Sequence, residues 1–205
     1  MLTLAASAVV YSRLPEQIPT HWNLQGQVDG HGPRQTVFLM PAVMLGILAL
    51  LYVLPWLSPK KFEIDSFRSA YWCIGLALIV FLAYVHGLTI WAAMTGGVDI
   101  VRALLAGMLL MFGVIGSSLA SVRRNFWVGV RTPWTIASDR VWDDTHRLAA
   151  RAFIAAAAIG LAVLILPLSL PAAGIAVLTL IMAAAIGPAI YSLVHYKQLQ
   201  SRGEI

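Results

Sequence analysis

The sequence predicts an all-α membrane protein, a polytopic transmembrane bundle of about six helical spans. Of its 205 residues, 60% are apolar and only 11% are charged, whereas soluble domains are about a quarter charged. The few charges are clustered, so long stretches of the chain contain none. The basic residues fall mainly on alternate loops, which is typical of proteins that cross the bilayer several times.

The stretches without charge indicate where the helices lie. Four of them contain no Asp, Glu, Lys or Arg, and their only histidines are His86 and His195: 35–59, 69–98, 103–122 and 152–196. Each exceeds the roughly 20 residues that cross a hydrocarbon core of about 30 Å. The last is long enough to cross twice, and Pro167, Ser169 and Pro171 predict a tight turn between its two helices.

The first apolar segment, residues 1–12, ends before Arg13 and has only about half the length of a span. It lacks the basic start and the small-residue cleavage site of a signal peptide. Two explanations stay open, a start codon placed too far downstream and a half-length helix packed against its neighbours.

The loops predict the orientation. Eleven basic residues fall on one side and three on the other, the three being Arg13, Arg34 and Arg102. Since cytoplasmic loops carry the excess of Lys and Arg, we predict a multi-pass membrane protein with both termini in the cytoplasm. The net charge of +5 is explained by this bias and by anionic headgroups, so we assign the chain no direct nucleic-acid partner.

Two connections are long enough to hold specific chemistry. In the outer one, residues 13–35, Pro15 and Pro19 predict an extended chain, and residues 23–26 predict a turn. A second turn is predicted within residues 29–33, where Asp-Gly and Gly-Pro follow each other. The expected result is a small β-like or coiled cap over the helix ends.

In the inner connection, residues 121–147, a helix is predicted to begin after Pro133, with Ser138 as its N-cap. Arg140 with Asp144, and Asp143 with Arg147, have the spacing of ion pairs on one helix face. Trp142 and His146 share another face.

No metal or other cofactor is predicted. His21, Asp29 and His31 are residue types that bind zinc or copper, but their spacing matches no compact ligand pair, and Asp29 is read as a turn residue. The single cysteine, Cys73, excludes an intramolecular disulfide.

No enzyme is predicted either, because the sequence contains neither a serine or carboxylate nucleophile beside a base nor a His-Glu-x-x-His pattern. Asp143, Asp144 and His146 offer an acid/base or metal cluster for a metal-dependent intramembrane hydrolase, the weaker alternative. The neighbouring arginines favour a solvated helix face instead.

Three ionisable residues fall within predicted spans, where polar groups are usually functional. His86 is the main one, and a small-molecule or ion transporter or channel built around it is the other alternative. Arg102 and His195 lie near span ends, where they are predicted to reach the interface.

The two long loops together resemble the SdpI family of bacterial immunity membrane proteins. In the outer loop the resemblance rests on Pro15, Ile18, Pro19, His21, Trp22, Asn23, Gly26, Asp29 and Gly30. In the inner loop it rests on residues 125–135, Trp142, and Thr145, His146 and Arg147. On this basis residues 1–57 form a DUF1648-like N-terminal part, and residues 58–205 form an SdpI-like membrane domain with its cytoplasmic loop at 121–147.

The resemblance implies protection against a secreted antimicrobial peptide toxin, and also signalling in which the toxin-bound protein sequesters a cytoplasmic transcriptional repressor. We therefore predict two binding regions and, as partners, the lipid bilayer, a toxin and a repressor. The toxin region comprises Pro19, His21, Trp22, Asn23, Gly26, Asp29 and Gly30. The signalling region comprises Asn125, Trp127, Gly129, Arg131, Thr132, Pro133, Trp134, Trp142, His146 and Arg147.

Overall fold

The computed structural model describes residues 2–23, 25–60, 64–96 and 100–205. Its helices are α1 Leu2–Val10, α2 Leu39–Val53, α3 Arg68–Thr95, α4 Ile100–Leu119, α5 Pro133–Ala137, α6 Asp139–Ile165 and α7 Leu170–Ser201. Within this part of the chain five helical segments are long and apolar enough to cross a membrane: α3, α4, α6, α7, and α2 together with the 3-10 turn before it, Arg34–Val53. The all-α bundle is confirmed, and the nine residues of α1 are the short first segment.

A two-stranded antiparallel hairpin covers one end of the bundle. Strand β1, Gln17–Trp22, pairs with β2, Val28–Pro33, so that Ile18 faces Gly32. The extended chain and the first turn are confirmed, since the Gly26 amide donates to the Asn23 carbonyl at 2.9 Å. The second predicted turn, at residues 29–33, is wrong because those residues pair with β1 as a strand.

The core of the bundle lies where α6 packs between α4 and α7. Glycines let α4 and α6 approach closely, as small residues do in membrane bundles. A Cβ at Gly116 would lie 2.9 Å from the Phe153 Cβ, and one at Gly160 would lie 2.6 Å from the Leu109 side chain. The α4–α6 contact is therefore fixed at two levels of the bundle.

The predicted break between the last two helices is confirmed. α6 ends at Ile165 and α7 begins at Leu170, and the Ser169 hydroxyl caps α7 by accepting the Ala172 amide at 3.4 Å. At the other turn on this side, Gly96 ends α3 with φ of +70°, and its predicted partner Gly97 lies outside the described residues.

The two long loops lie at opposite ends of α3. Ile18 of the hairpin packs with Ile90 and Ala93, near the C-terminal end of α3, whereas Val122 of the inner loop packs with Tyr71, near its N-terminal end. The direction of the bundle across the bilayer stays a prediction from the basic residues.

Cysteine labelling tests that orientation. With Cys73 replaced by serine, single cysteines at Gln25 in the hairpin and at Ala137 in the inner loop, both exposed, are expected to react from opposite sides of the membrane. An impermeant maleimide applied to whole cells should label Gln25→Cys, and should label Ala137→Cys only after the cells are opened. Labelling of both variants in intact cells would contradict the predicted orientation.

Candidate functional site

The root of the outer hairpin is a small buried cluster. Leu14, Ile18 and Val37 are buried together and pack against Ile90 of α3. Pro19 is also buried, so β1 lies on the helix ends and does not project into solvent. The predicted toxin region is therefore held in place by its packing on the helix ends of the bundle.

Trp22, at the end of β1, is seated on the bundle. It is partly buried and packs against a cluster of Leu88, Ala92 and Ile100, which joins the outer ends of α3 and α4. Its indole thus positions the hairpin, and only part of the ring is open to a ligand.

Asn23 and Gly26 build the hairpin turn. Asn23 Oδ1 accepts the amides of Gln25 at 3.0 Å and Gln27 at 2.9 Å, and Asn23 Nδ2 donates to Gln27 Oε1 at 3.2 Å. Gly26 has φ of +81°, a conformation that favours glycine, and a Cβ there would lie 3.0 Å from Leu170 of α7. These residues shape the turn and set it against the start of α7.

His21 and Asp29 form the exposed polar face of the hairpin. His21 Nδ1 donates to Asp29 Oδ1 at 2.5 Å, and the two side chains are 70% and 44% exposed. Asp29 is therefore bonded across the hairpin, and the expectation that it bonds its own turn is wrong. Gly30 allows this approach, because a Cβ there would lie 2.9 Å from the His21 Cβ.

His31 is exposed and lies opposite Pro19 in the strand pairing. In the part of the chain that the structure describes, no three His, Cys, Asp or Glu residues are grouped to hold a metal.

A cavity of about 500 Å³ opens between the hairpin and the outer ends of α3 and α4. Its walls include Gln17, Trp22, Val28, His31, Ala92 and Ile100. Polar and apolar groups thus meet in one recess beside the exposed His21–Asp29 pair.

The inner loop is folded around Asn125, which is fully buried. Its Oδ1 accepts the amides of Trp127 at 2.7 Å and Val128 at 2.8 Å, and its Nδ2 donates to the carbonyls of Arg123 at 2.8 Å and Val128 at 3.0 Å. A buried amide with four such bonds fixes an irregular backbone that no helix or strand stabilises.

His146 joins this loop to α6. Its Nε2 accepts the Val130 amide at 3.0 Å, and its Nδ1 donates to the Trp142 carbonyl at 2.8 Å. The ring is fully buried and stacked on Trp142, with centroids 4.1 Å apart. The shared face of Trp142 and His146 is confirmed, but it points into the protein, so the solvated reading of His146 is wrong. Both ring nitrogens are occupied in a neutral tautomer.

Gly129 makes the contact between the loop and His146 possible. Its φ is +113°, and a Cβ at this position would overlap His146 Nε2. The sequence marks Gly129 as part of a motif, and the structure supplies the reason why glycine is needed there.

Three further hydrogen bonds attach the inner loop to separate helices or their connections. Trp127 Nε1 donates to Ser58 Oγ at 2.5 Å, beyond the end of α2. Trp142 Nε1 donates to the Val122 carbonyl at 2.8 Å, and the hydroxyls of Thr132 and Ser192, the latter on α7, are 2.9 Å apart. The loop is therefore built into the bundle on several sides.

Helix starts in the inner loop follow the prediction. α5 begins at Pro133 with Thr132 as N-cap in a capping box with Thr135, and Ser138 caps α6. The predicted ion pairs are wrong. Arg140 binds Glu204 near the C-terminus and Asp143 binds Arg123 at 3.2 Å, both partners from other segments. Arg147 binds Asp144, three positions away on the same helix.

The structure divides the predicted signalling region into supporting and exposed residues. Asn125, Trp142 and His146 are fully buried, so in this conformation a partner cannot touch them and their effect is to hold the loop. Arg131 and Pro133 are exposed and Trp134 is partly so. Arg131 donates to the Phe126 backbone carbonyl, and the Phe126 side chain is itself exposed.

Three polar contacts within the helices have no signal in the local sequence. His195 is only 15% exposed and its Nε2 donates to Asp144 Oδ2 at 2.8 Å, so it is paired with another helix. His86 is buried and its Nε2 lies 2.9 Å from Ser7 Oγ of α1. Arg102 donates to the Leu164 carbonyl at 2.5 Å, which joins α4 to the end of α6.

Two family models match the chain on either side of its middle. That of DUF1648, a domain of unknown function, matches residues 1–45, and that of the SdpI/YfhL protein family matches residues 121–192. The first covers the outer hairpin, and the second covers the inner loop together with most of α6 and α7. The domain boundary between residues 57 and 58 lies outside both matches and stays a prediction.

A curated relative matches across much of the chain. Immunity protein SdpI of Bacillus subtilis (strain 168) is 26% identical over 153 residues, which are 75% of this chain and 72% of that protein. No solved structure matches the chain. The two family matches and this relative confirm the resemblance of the chain, in both of its long loops, to the SdpI family of bacterial immunity membrane proteins.

Proposed function

We propose that this chain is an integral membrane immunity protein that protects its cell against a secreted antimicrobial peptide. The observation that carries the proposal is the alignment with Immunity protein SdpI over 75% of the chain. The five long apolar helices agree with a protein that acts at the membrane, where such a peptide would attack.

Toxin recognition is assigned to the outer hairpin. His21 and Asp29 present hydrogen-bonding groups to the outside, and the neighbouring cavity offers a recess for a side chain of an arriving peptide. Trp22, Asn23, Gly26 and Gly30 keep this surface in shape. An exposed polar pair beside a partly apolar recess matches the mixture of groups that protein interfaces use.

Signalling is assigned to the exposed part of the inner loop, formed by Phe126, Arg131, Pro133 and Trp134. Arginine and aromatic residues are common at protein interfaces, and the bonds of Asn125 and His146 hold the backbone beneath them rigid. A cytoplasmic repressor bound here would be sequestered when the hairpin is occupied by toxin.

Deletion and complementation test the protective function. A strain that lacks this gene is expected to lose survival when treated with culture supernatants of its own species that contain membrane-active peptides, and a plasmid copy should restore it. The transporter alternative would instead be supported by two results together. The deletion strain would survive every supernatant as the parent does, and the purified protein would show ligand-dependent flux in liposomes that is lost in His86→Ala.

Mutations of the two surfaces are expected to affect different functions, protection for the hairpin and partner binding for the inner loop. His21→Ala should reduce protection by about tenfold, the effect of one lost charge-assisted hydrogen bond, whereas Gln25→Ala in the same hairpin should not. Arg131→Gln should leave protection intact but reduce the amount of cytoplasmic protein that co-purifies after toxin treatment. Arg68→Gln is the control and should change neither. Mass spectrometry of the captured proteins and survival counts are the two readouts. Loss of protection in Arg131→Gln at normal abundance, with none in His21→Ala, would reverse the assignment.

A further inference from the structure

One face of α6, opposite its most buried side, carries a ladder of charged residues. Arg140, Asp144, Arg147 and Arg151 follow each other at intervals of three or four positions, which places them on one side of the helix. The buried residues of α6 lie on the opposite side, and include Trp142, His146, Ala149, Phe153 and Ala156. The three arginines of the ladder are exposed, whereas Asp144 is partly buried against His195 of α7.

All but one of these charges have a partner. Arg140 binds Glu204, and Asp144 binds both Arg147 and His195. Arg151 is exposed and has no acidic partner among the described residues. Arg147 and Arg151 are four positions apart, a spacing at which like charges repel on a helix, so an anion between them would relieve that repulsion.

Arg151 lies deeper than the other members of the ladder. From Arg151 to the last residue of α6, Ile165, 14 residues rise by about 21 Å, which is less than the roughly 30 Å of a hydrocarbon core. The neighbouring Ala150 and Phe153 pack on Gly116, inside the end of α4. A charged head at this depth has to reach towards the headgroups.

The direction of that reach is set by the helix. Side chains on an α-helix lean towards its N-terminus, and the N-terminus of α6 lies at the inner-loop end. Arg151 consequently leans towards Arg147, so one phosphate at this level of the helix is within reach of both guanidinium groups. Guanidinium groups bind phosphate oxygens through paired hydrogen bonds.

We propose that Arg147 and Arg151 bind the phosphate of an anionic phospholipid in the leaflet at the inner-loop end. A lipid is favoured over free phosphate because exposed apolar residues, Leu148 and Ile154, flank the two arginines and can contact acyl chains. The bound lipid touches the helix that also carries Asp144 and His146.

Lipid titration followed by native mass spectrometry tests this site on the purified full chain. Phosphatidylglycerol is expected to bind more tightly than phosphatidylcholine, and Arg151→Gln should weaken phosphatidylglycerol binding by about tenfold or more. Arg151→Lys should recover part of the affinity because it keeps the charge. Arg202→Gln, at an exposed arginine beyond the end of α7, is the matched control and should bind as the parent does.

Two results would overturn the proposal. Arg151→Gln with the phosphatidylglycerol affinity of the parent would show that the arginine is not part of a lipid site. Competition by inorganic phosphate at concentrations comparable to the lipid would show that the anion is recognised without its acyl chains. A general loss of folding is recognised separately, since it would lower phosphatidylcholine binding as well.

Discussion

Replacing Gly129 with alanine is expected to destabilise the inner loop more than any other single methyl addition in this region. The φ of +113° is unfavourable for a residue with a Cβ, and the added methyl would overlap His146 Nε2. Together these effects should cost about 2 kcal/mol or more and lower the melting temperature in detergent by about 5 °C. Tryptophan fluorescence is a suitable readout, because Trp142 is buried and stacked on His146.

Gly187→Ala is the matched control for Gly129→Ala. Gly187 lies within α7, and a Cβ there would meet nothing within 4 Å, so alanine should be neutral or slightly stabilising. The double variant Gly129→Ala with His146→Ala should lose less stability than the sum of the single variants, since the ring that causes the overlap is gone. Full additivity, or a Gly129→Ala variant as stable as the parent, would contradict this account of the loop.

Replacing Trp22 with alanine is expected to abolish most of the protection while leaving the helical bundle intact. The indole seats the hairpin on Leu88, Ala92 and Ile100, and loss of this partly buried contact should cost about 2 kcal/mol, roughly thirtyfold in the ratio of seated to detached hairpin. The effect should therefore exceed that of His21→Ala, which removes one surface bond. Survival in the toxin assay measures protection. Protease cleavage at Arg13 or Arg34 measures detachment of the hairpin from the bundle.

Two further tryptophan variants distinguish the loss of the hairpin contact from a general effect of removing a tryptophan. Trp22→Phe keeps an aromatic ring on the same cluster and should retain most protection. Trp56→Ala removes an indole that is 85% exposed and should leave both readouts unchanged. If Trp22→Ala is cleaved like the parent and protects as well as the parent, the seating of the hairpin is irrelevant to immunity.

The sequence predicts those features that depend on neighbouring residues. Charge-free stretches locate the spans because the bilayer excludes charge along a continuous segment. Ser138 is recognisable as a cap, and Trp142 and His146 as one face, because both properties follow from helical spacing alone. The extended strand at Pro19 follows in the same way from the fixed φ of proline.

Contacts between segments far apart in the sequence cannot be predicted from such local patterns. Asp144 pairs with His195, 51 positions away, and Arg102 reaches a carbonyl 62 positions away, so no local pattern identifies either partner. For the second hairpin strand the sequence predicts a turn, because Asp-Gly and Gly-Pro are typical of turns. Here the pairing with β1 overrides that preference, since Gly30 and Gly32 leave room for side chains of β1.

The helix α7 links the two long loops directly. It begins beside the hairpin turn, where Leu170 lies next to Gly26, and its Ser192 hydroxyl meets Thr132 of the inner loop at 2.9 Å. About 33 Å of helix separate these points. Pro188 lies inside this stretch, where a proline removes one helical hydrogen bond and favours a bend. Under the proposed function, a peptide that displaces the hairpin would release one end of this helix while its other end stays bonded to the inner loop. The signal would then cross the membrane as a small movement of one helix, with no solute passing through the protein.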